Sequence, residues 1–166
     1  ADRGRLALLD EPDQEFFERF SAAVQQRAQR IPLQHITGQA PFGPVVLDVG
    51  PGVFVPRPET VSLLEWACAQ KFPPSPVIVD LCTGSGALAV ALASAMPDAR
   101  VIAVDDDATA LAYARRNTAG RRVDVIAGDV MDPDLLPDLD AKVDLVIANP
   151  PYIPDGAELE PEVAQH

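Results

Sequence analysis

The chain has 166 residues, 48% of them hydrophobic, and a formal charge of −12. That length and apolar share suit one domain with a core of its own and rule out a disordered chain, while no apolar run approaches the roughly eighteen residues of a membrane span. Thirteen Lys and Arg against twenty-five Asp and Glu argue against direct nucleic-acid binding, which normally uses clustered positive charge to neutralise phosphates.

The pairs Arg115-Arg116 and Arg121-Arg122 read as solvated helix ends, where cations are favoured. Two cysteines, Cys68 and Cys82, are too few for a disulfide framework, and no charged-then-apolar signal stands at the start. Together these predict a reducing, cytoplasmic setting.

In chain order, residues 10–30 carry a helical pattern, with Asp10 or Asp13 as cap and Phe16, Phe17, Phe20, Val24 and Ala28 as the apolar stripe. Ile31-Pro32 ends it, so 1–31 reads as the end of an amino-terminal helical domain. Residues 32–58 read as a linking arm. Two short β-like runs at 45–49 and 53–55, separated by Gly50-Pro51-Gly52, predict a hairpin there. His35 has no second His, Cys or carboxylate at metal spacing and reads as a packing residue, so no metal site is expected. Thr60 is positioned to cap a helix over 61–70, which Pro73-Pro74-Ser75-Pro76 ends.

Strand and helix patterns then alternate: strand 77–81, helix 87–95, strand 101–104, helix 108–117, strand 123–126, an acidic proline-broken loop at 132–140, and strand 143–148. The alternation predicts an α/β domain over 59–166, with a parallel sheet and right-handed crossovers. Ligands in such sheets lie beyond the carboxyl ends of the strands, where strand order reverses. The distinctive residues fall there.

Asp80-Leu81-Cys82-Thr83-Gly84-Ser85-Gly86 closes the first strand of this series, and its glycines let the backbone approach a ligand. Nineteen residues after Gly86 stands Asp105, the spacing of a carboxylate on ribose hydroxyls. Gly84-x-Gly86-x-x-Ala89 also fits the dinucleotide fingerprint. Two features favour S-adenosylmethionine over NAD. The Asp80 charge suits an ammonium and repels a pyrophosphate, and Asn149-Pro150-Pro151-Tyr152 closes the last strand where a dehydrogenase needs room for nicotinamide. Both prolines lack an N–H and fix their φ, so the carbonyls here meet few donors and suit a planar group bearing N–H bonds, an amide or a base amino group. Asp106 and Asp107 read as caps of the following helix, and Cys82 as a small packed thiol.

With Pro32-Leu33-Gln34-His35-Ile36-Thr37-Gly38 and Pro56-Arg57-Pro58-Glu59-Thr60, these motifs resemble the HemK/PrmC family of release-factor glutamine methyltransferases over about 32–152. The resemblance implies a Rossmann-like class I S-adenosylmethionine-dependent sheet, present in part. It also implies methyl transfer to the glutamine side-chain nitrogen in the Gly-Gly-Gln loop of class I peptide-chain release factors, leaving S-adenosylhomocysteine. By motif position, Cys82, Thr83, Gly84, Ser85 and Gly86 line the cofactor above Asp80, Asp105 holds its ribose, and Asp129 and Val130 flank the adenine. Asn149, Pro150, Pro151 and Tyr152 hold the glutamine. Within that set, Asn149 also borders the cofactor, and Asn149, Pro150 and Tyr152 carry the catalysis, with no membrane or metal involved.

Other substrates stay open: a ribosomal-protein glutamine, an adenine in nucleic acid, or a cofactor-binding module without catalysis. The sequence departs from the family at Cys82 and Val61, where glycine and glutamate are usual, and at Val130, often aromatic. The family carries a multi-helix domain before the arm and further strands after the fourth, so the chain is expected to be a fragment.

Overall fold

The structure, a computed structural model, describes residues 12–151. Helix α1, Gln14–Ala28, starts at Asp13, whose Oδ1 accepts the Phe16 N–H at 2.8 Å. Its predicted stripe lies uncovered among the described residues, with the Phe16 and Phe20 rings stacked 6.1 Å apart. A five-residue helix α2, Leu33–Thr37, follows between Pro32 and a left-handed Gly38. His35 on this helix is buried, with Nε2 3.1 Å from the Val53 carbonyl, in keeping with a packing role.

The hairpin is not where the glycines of 50–52 predict it. Strands β1, Gln39–Phe42, and β2, Val45–Asp48, pair antiparallel with Phe42 opposite Val45, and Gly43-Pro44 makes the turn. Alternation decides the register: Ala40, Phe42, Val45 and Leu47 all face inward. Residues 53–55 form no strand. Gly50-Pro51-Gly52 instead presses the chain against the helix at 108–117, where a Cβ on Gly50 would run into the Tyr113 hydroxyl.

A 3₁₀ turn, Pro58–Thr60, leads into α3, Val61–Cys68. The alternating region follows the predicted order: β3 Val77–Leu81, α4 Ala87–Ala95, β4 Arg100–Asp105, α5 Ala108–Asn117, β5 Val123–Ala127 and β6 Leu145–Ala148. The four strands are parallel in the order β5-β4-β3-β6. Asp107 caps α5 by accepting the Ala110 N–H at 2.7 Å, as expected.

Strand alternation sends Ile78, Val101, Ala103, Leu145 and Ile147 to one face of this sheet, and Val79, Ile102 and Val104 to the other. The first face meets α4, whose residues 87–92 are all buried because alanines alternate with Leu and Val on every side. Phe42 and Leu47 join the same core, so the predicted arm packs on the sheet domain. Each contributes about 1.5–3 kcal/mol by leaving water. Leu135, Leu136, Leu139 and Val143, from the loop before β6, cover the second face.

Candidate functional site

From β3 the chain steps outward to β4 and β5, then returns to the other flank of β3 as β6. The order therefore reverses between β3 and β6, the place where such sheets take ligands. Leu81 pairs with Ala148, so Cys82 and Asn149 leave the sheet as neighbours. One cavity of about 930 Å³ opens there, bounded by the glycine loop on one side and Asn149, Pro150 and Pro151 on the other. Its size falls in the range of sites for compact organic ligands.

The loop is held from below and behind. Asp80 is 1% exposed. Its Oδ2 accepts the Thr83 hydroxyl at 2.5 Å and the Ala89 N–H at 3.1 Å. Burial pushes its pKa up to about 7; the two hydrogen bonds pull it down and nearby Asp105 adds to the rise. The predicted anionic base of the loop thus spends one oxygen on the fold and is only partly charged near neutral pH.

Asp105 Oδ2 accepts the Gly84 N–H at 2.8 Å and its Oδ1 the Asp107 N–H at 3.0 Å. Each oxygen keeps a further lone pair, and the residue lines the cavity, so the clasp on the loop leaves acceptor capacity for a hydroxyl. Gly84 has φ +58° and open space where a Cβ would stand, and it too lines the cavity. Cys82 sits at φ +55°, in the region that favours glycine. Burial first, then Asp105, Asp106 and Asp80, raise its thiol pKa, so it remains protonated. Ser85 Oγ is buried with no hydrogen-bond partner among the described residues.

Of the residues predicted from sequence, Asp80, Cys82, Thr83, Gly84, Ser85, Asp105, Val130, Asn149, Pro150 and Pro151 line this one cavity. Gly86 turns the chain into α4 at φ +84°, and a Cβ there would lie 3.3 Å from the Ala114 backbone, so it serves close packing and is not a lining residue. Asp129 is also absent from the lining; its Oδ1 accepts the Met131 N–H at 2.8 Å and closes a local turn. Tyr152 lies outside the described residues. Thr60, read as a cap, makes no capping bond and lines the cavity. Phe54 and Arg57 also border it, with the guanidinium 5.1 Å from the ring centre. Their signal in the sequence is the Pro56-Arg57-Pro58 motif, which marks the place without revealing the contact.

Four carboxylates, Asp80, Asp105, Asp106 and Asp107, line the cavity against one cation, Arg57. This donor set fits S-adenosylmethionine, which carries a sulfonium and an ammonium, and is a poor match for a pyrophosphate. Among the described residues no cluster of His, Cys, Asp and Glu is placed to hold a metal ion, and no helix is long and apolar enough to cross a membrane.

The Methyltransferase small domain family matches residues 61–166, and the PrmC N-terminal domain matches 2–38. A release factor glutamine methyltransferase of Mycolicibacterium smegmatis is 65% identical over 99% of this chain and 59% of its own length. That of Mycobacterium tuberculosis is 60% identical over 99% of this chain and 56% of its own. A 4-amino-L-phenylalanine/4-methylamino-L-phenylalanine methyltransferase of Streptomyces pristinaespiralis is 41% identical over 89% and 52%. The chain therefore spans a little over half the length of the curated relatives it matches.

Proposed function

The chain belongs to the Methyltransferase small domain family, in the HemK/PrmC group that its motifs resemble, and from that premise we propose that the whole protein methylates the Gly-Gly-Gln glutamine of class I release factors at its side-chain nitrogen. The observation that carries this reading is the acid-lined cavity shared by the glycine loop and Asn149-Pro150-Pro151. When bound, S-adenosylmethionine supplies a methyl on a sulfonium whose sulfur leaves with the C–S electron pair.

The protein's own part is positioning, since an amide nitrogen is a weak nucleophile with its lone pair delocalised. The Asn149 Oδ1 and the Pro150 carbonyl accept the two N–H bonds of the glutamine and hold its nitrogen toward the methyl. Alignment of this kind supplies on the order of 7–11 kcal/mol of a barrier. The amide proton leaves to solvent after the N–C bond has formed, when the nitrogen is far more acidic. Asp105 holds the ribose, residues 82–85 the amino-acid end, and Val130 the adenine edge, while Gly86 and Asp129 shape the turns behind them. A release factor as partner brings with it a cytoplasmic location, in keeping with two free cysteines.

The test is transfer of labelled methyl by the full-length protein to a release factor, a ribosomal protein, DNA and 4-amino-L-phenylalanine, the last because the relative named for that substrate is related over most of the chain. Label is expected on the release-factor glutamine. Label on none would favour a binding module, and label on DNA would run against the acidic lining. Asn149→Ala is expected to lower turnover by about two to three orders of magnitude, the usual loss for a preorganised polar contact; near-normal turnover in that variant rejects the role given to Asn149.

A further inference from the structure

We propose that Thr60 is a positioning residue that sets which end of the Asn149 carboxamide faces the cavity. Asn149 Nδ2 donates to Thr60 Oγ1 at 3.2 Å, in a partly buried bond that spans 89 residues of sequence. Both residues line the cavity. Thr60 stands where α3 begins, but its φ of −66° and ψ of −18° are helical, and its side chain makes no capping bond. A capping side chain normally comes from extended backbone and accepts an N–H of the first turn. The 3₁₀ turn before α3 is closed by backbone, Thr60 N–H to the Arg57 carbonyl at 3.1 Å, and the Ser62 hydroxyl donates to the Glu59 carbonyl at 2.7 Å. The Thr60 hydroxyl is thus spared from the helix and aimed across the chain.

A carboxamide has chemically opposite ends on one rotatable bond. Turned half a circle, Asn149 would present N–H to an incoming N–H and repel it. With Nδ2 tethered to Thr60, Oδ1 is left as the acceptor. The tether is stiff because Thr60 is β-branched and its backbone is fixed within the 3₁₀ turn that Pro58 opens. This role rests on the glutamine reading for what Oδ1 accepts; the Thr60–Asn149 bond itself does not depend on it.

The experiment is a double-mutant cycle in the full-length protein with a release factor as substrate. Thr60→Val keeps the shape and removes the acceptor. It is expected to lower kcat roughly ten-fold, the effect of one neutral hydrogen bond, with cofactor affinity unchanged. Thr60→Ser keeps the hydroxyl and should stay within about two-fold of wild type on the same scale. In an Asn149→Ala background, Thr60→Val should cause no further loss. Additive losses, or a serine variant as impaired as the valine one, overturn the proposal. Thr60→Ala serves in place of Thr60→Val should the latter misfold, with the same loss expected.

A wild type that labels no substrate defeats the glutamine reading alone. Thr60 is then judged by NMR of the Asn149 side-chain amide. Shifted resonances and faster hydrogen exchange in Thr60→Val uphold the tether, and unmoved ones overturn it.

Discussion

Cys82 occupies a conformation that its side chain resists. At φ +55° an L residue is strained by about 1–2 kcal/mol, a strain that glycine does not suffer. Cys82→Gly is therefore expected to raise stability by about 1 kcal/mol in urea unfolding, after the greater freedom of glycine in the unfolded chain is counted. Because the thiol is held protonated, alkylating reagents should modify it slowly at neutral pH. At this scale the sequence told which residues are special better than what each one does. Thr60 before a helix has the type of a cap, and only the 3.2 Å approach of Asn149 gives it a different partner. Asp80 after a strand looked free to meet a ligand, but its burial and its bonds to Thr83 and Ala89 were invisible without the fold. Asp129 was placed at the adenine edge by motif position, and one of its oxygens accepts the Met131 N–H of its own loop.

Among the elements, α5 joins the hairpin to the glycine loop through one side chain. Asn117 Oδ1 accepts the Asp48 N–H at 2.8 Å, while its Nδ2 donates to the Asp48 carbonyl at 2.9 Å and the Ser85 carbonyl at 2.8 Å. Removing three hydrogen bonds at once is expected to make Asn117→Ala less stable by about 1–3 kcal/mol. Hydrogen exchange should locate the damage: the Asp48 amide is expected to exchange faster, and cofactor affinity to fall as the loop loosens. An unchanged Asp48 amide would show that the hairpin holds without this tie. The parallel strands and α4 and α5 could be read from the sequence because apolar runs of the right length are bounded by Gly, Pro and Asp. The hairpin was displaced because Gly50-Pro51-Gly52 is a stronger turn signal than Gly43-Pro44, while Pro41 hides β1. Five-residue α2 is too short to show a period.

Across the whole molecule the buried carboxyl of Asp80 ties stability to pH. The folded protein keeps its proton up to about 7, whereas the unfolded chain releases it near 3.8. Between those values the unfolded state binds fewer protons, so this group's contribution is full at low pH, declines as pH rises toward 7 and is level above. Asp80→Asn retains an oxygen for both Thr83 and Ala89 and does not titrate. Urea unfolding should therefore show the variant gaining on wild type by on the order of 2 kcal/mol between about pH 5 and about pH 8. A pH-independent difference would mean that Asp80 is already ionised at the lower pH. A cationic cofactor favours the ionised form, so its binding near neutral pH should expel a proton, measurable by calorimetry in buffers of different ionisation heat. The close seat of Gly50 against Tyr113, whose ring is also covered by the Arg116 guanidinium at 4.4 Å, has a historical corollary. A side chain acquired at 50 is expected to be matched by a displaced ring or a lost hydroxyl at 113 in the same lineage, so the two positions should drift as a compensating pair.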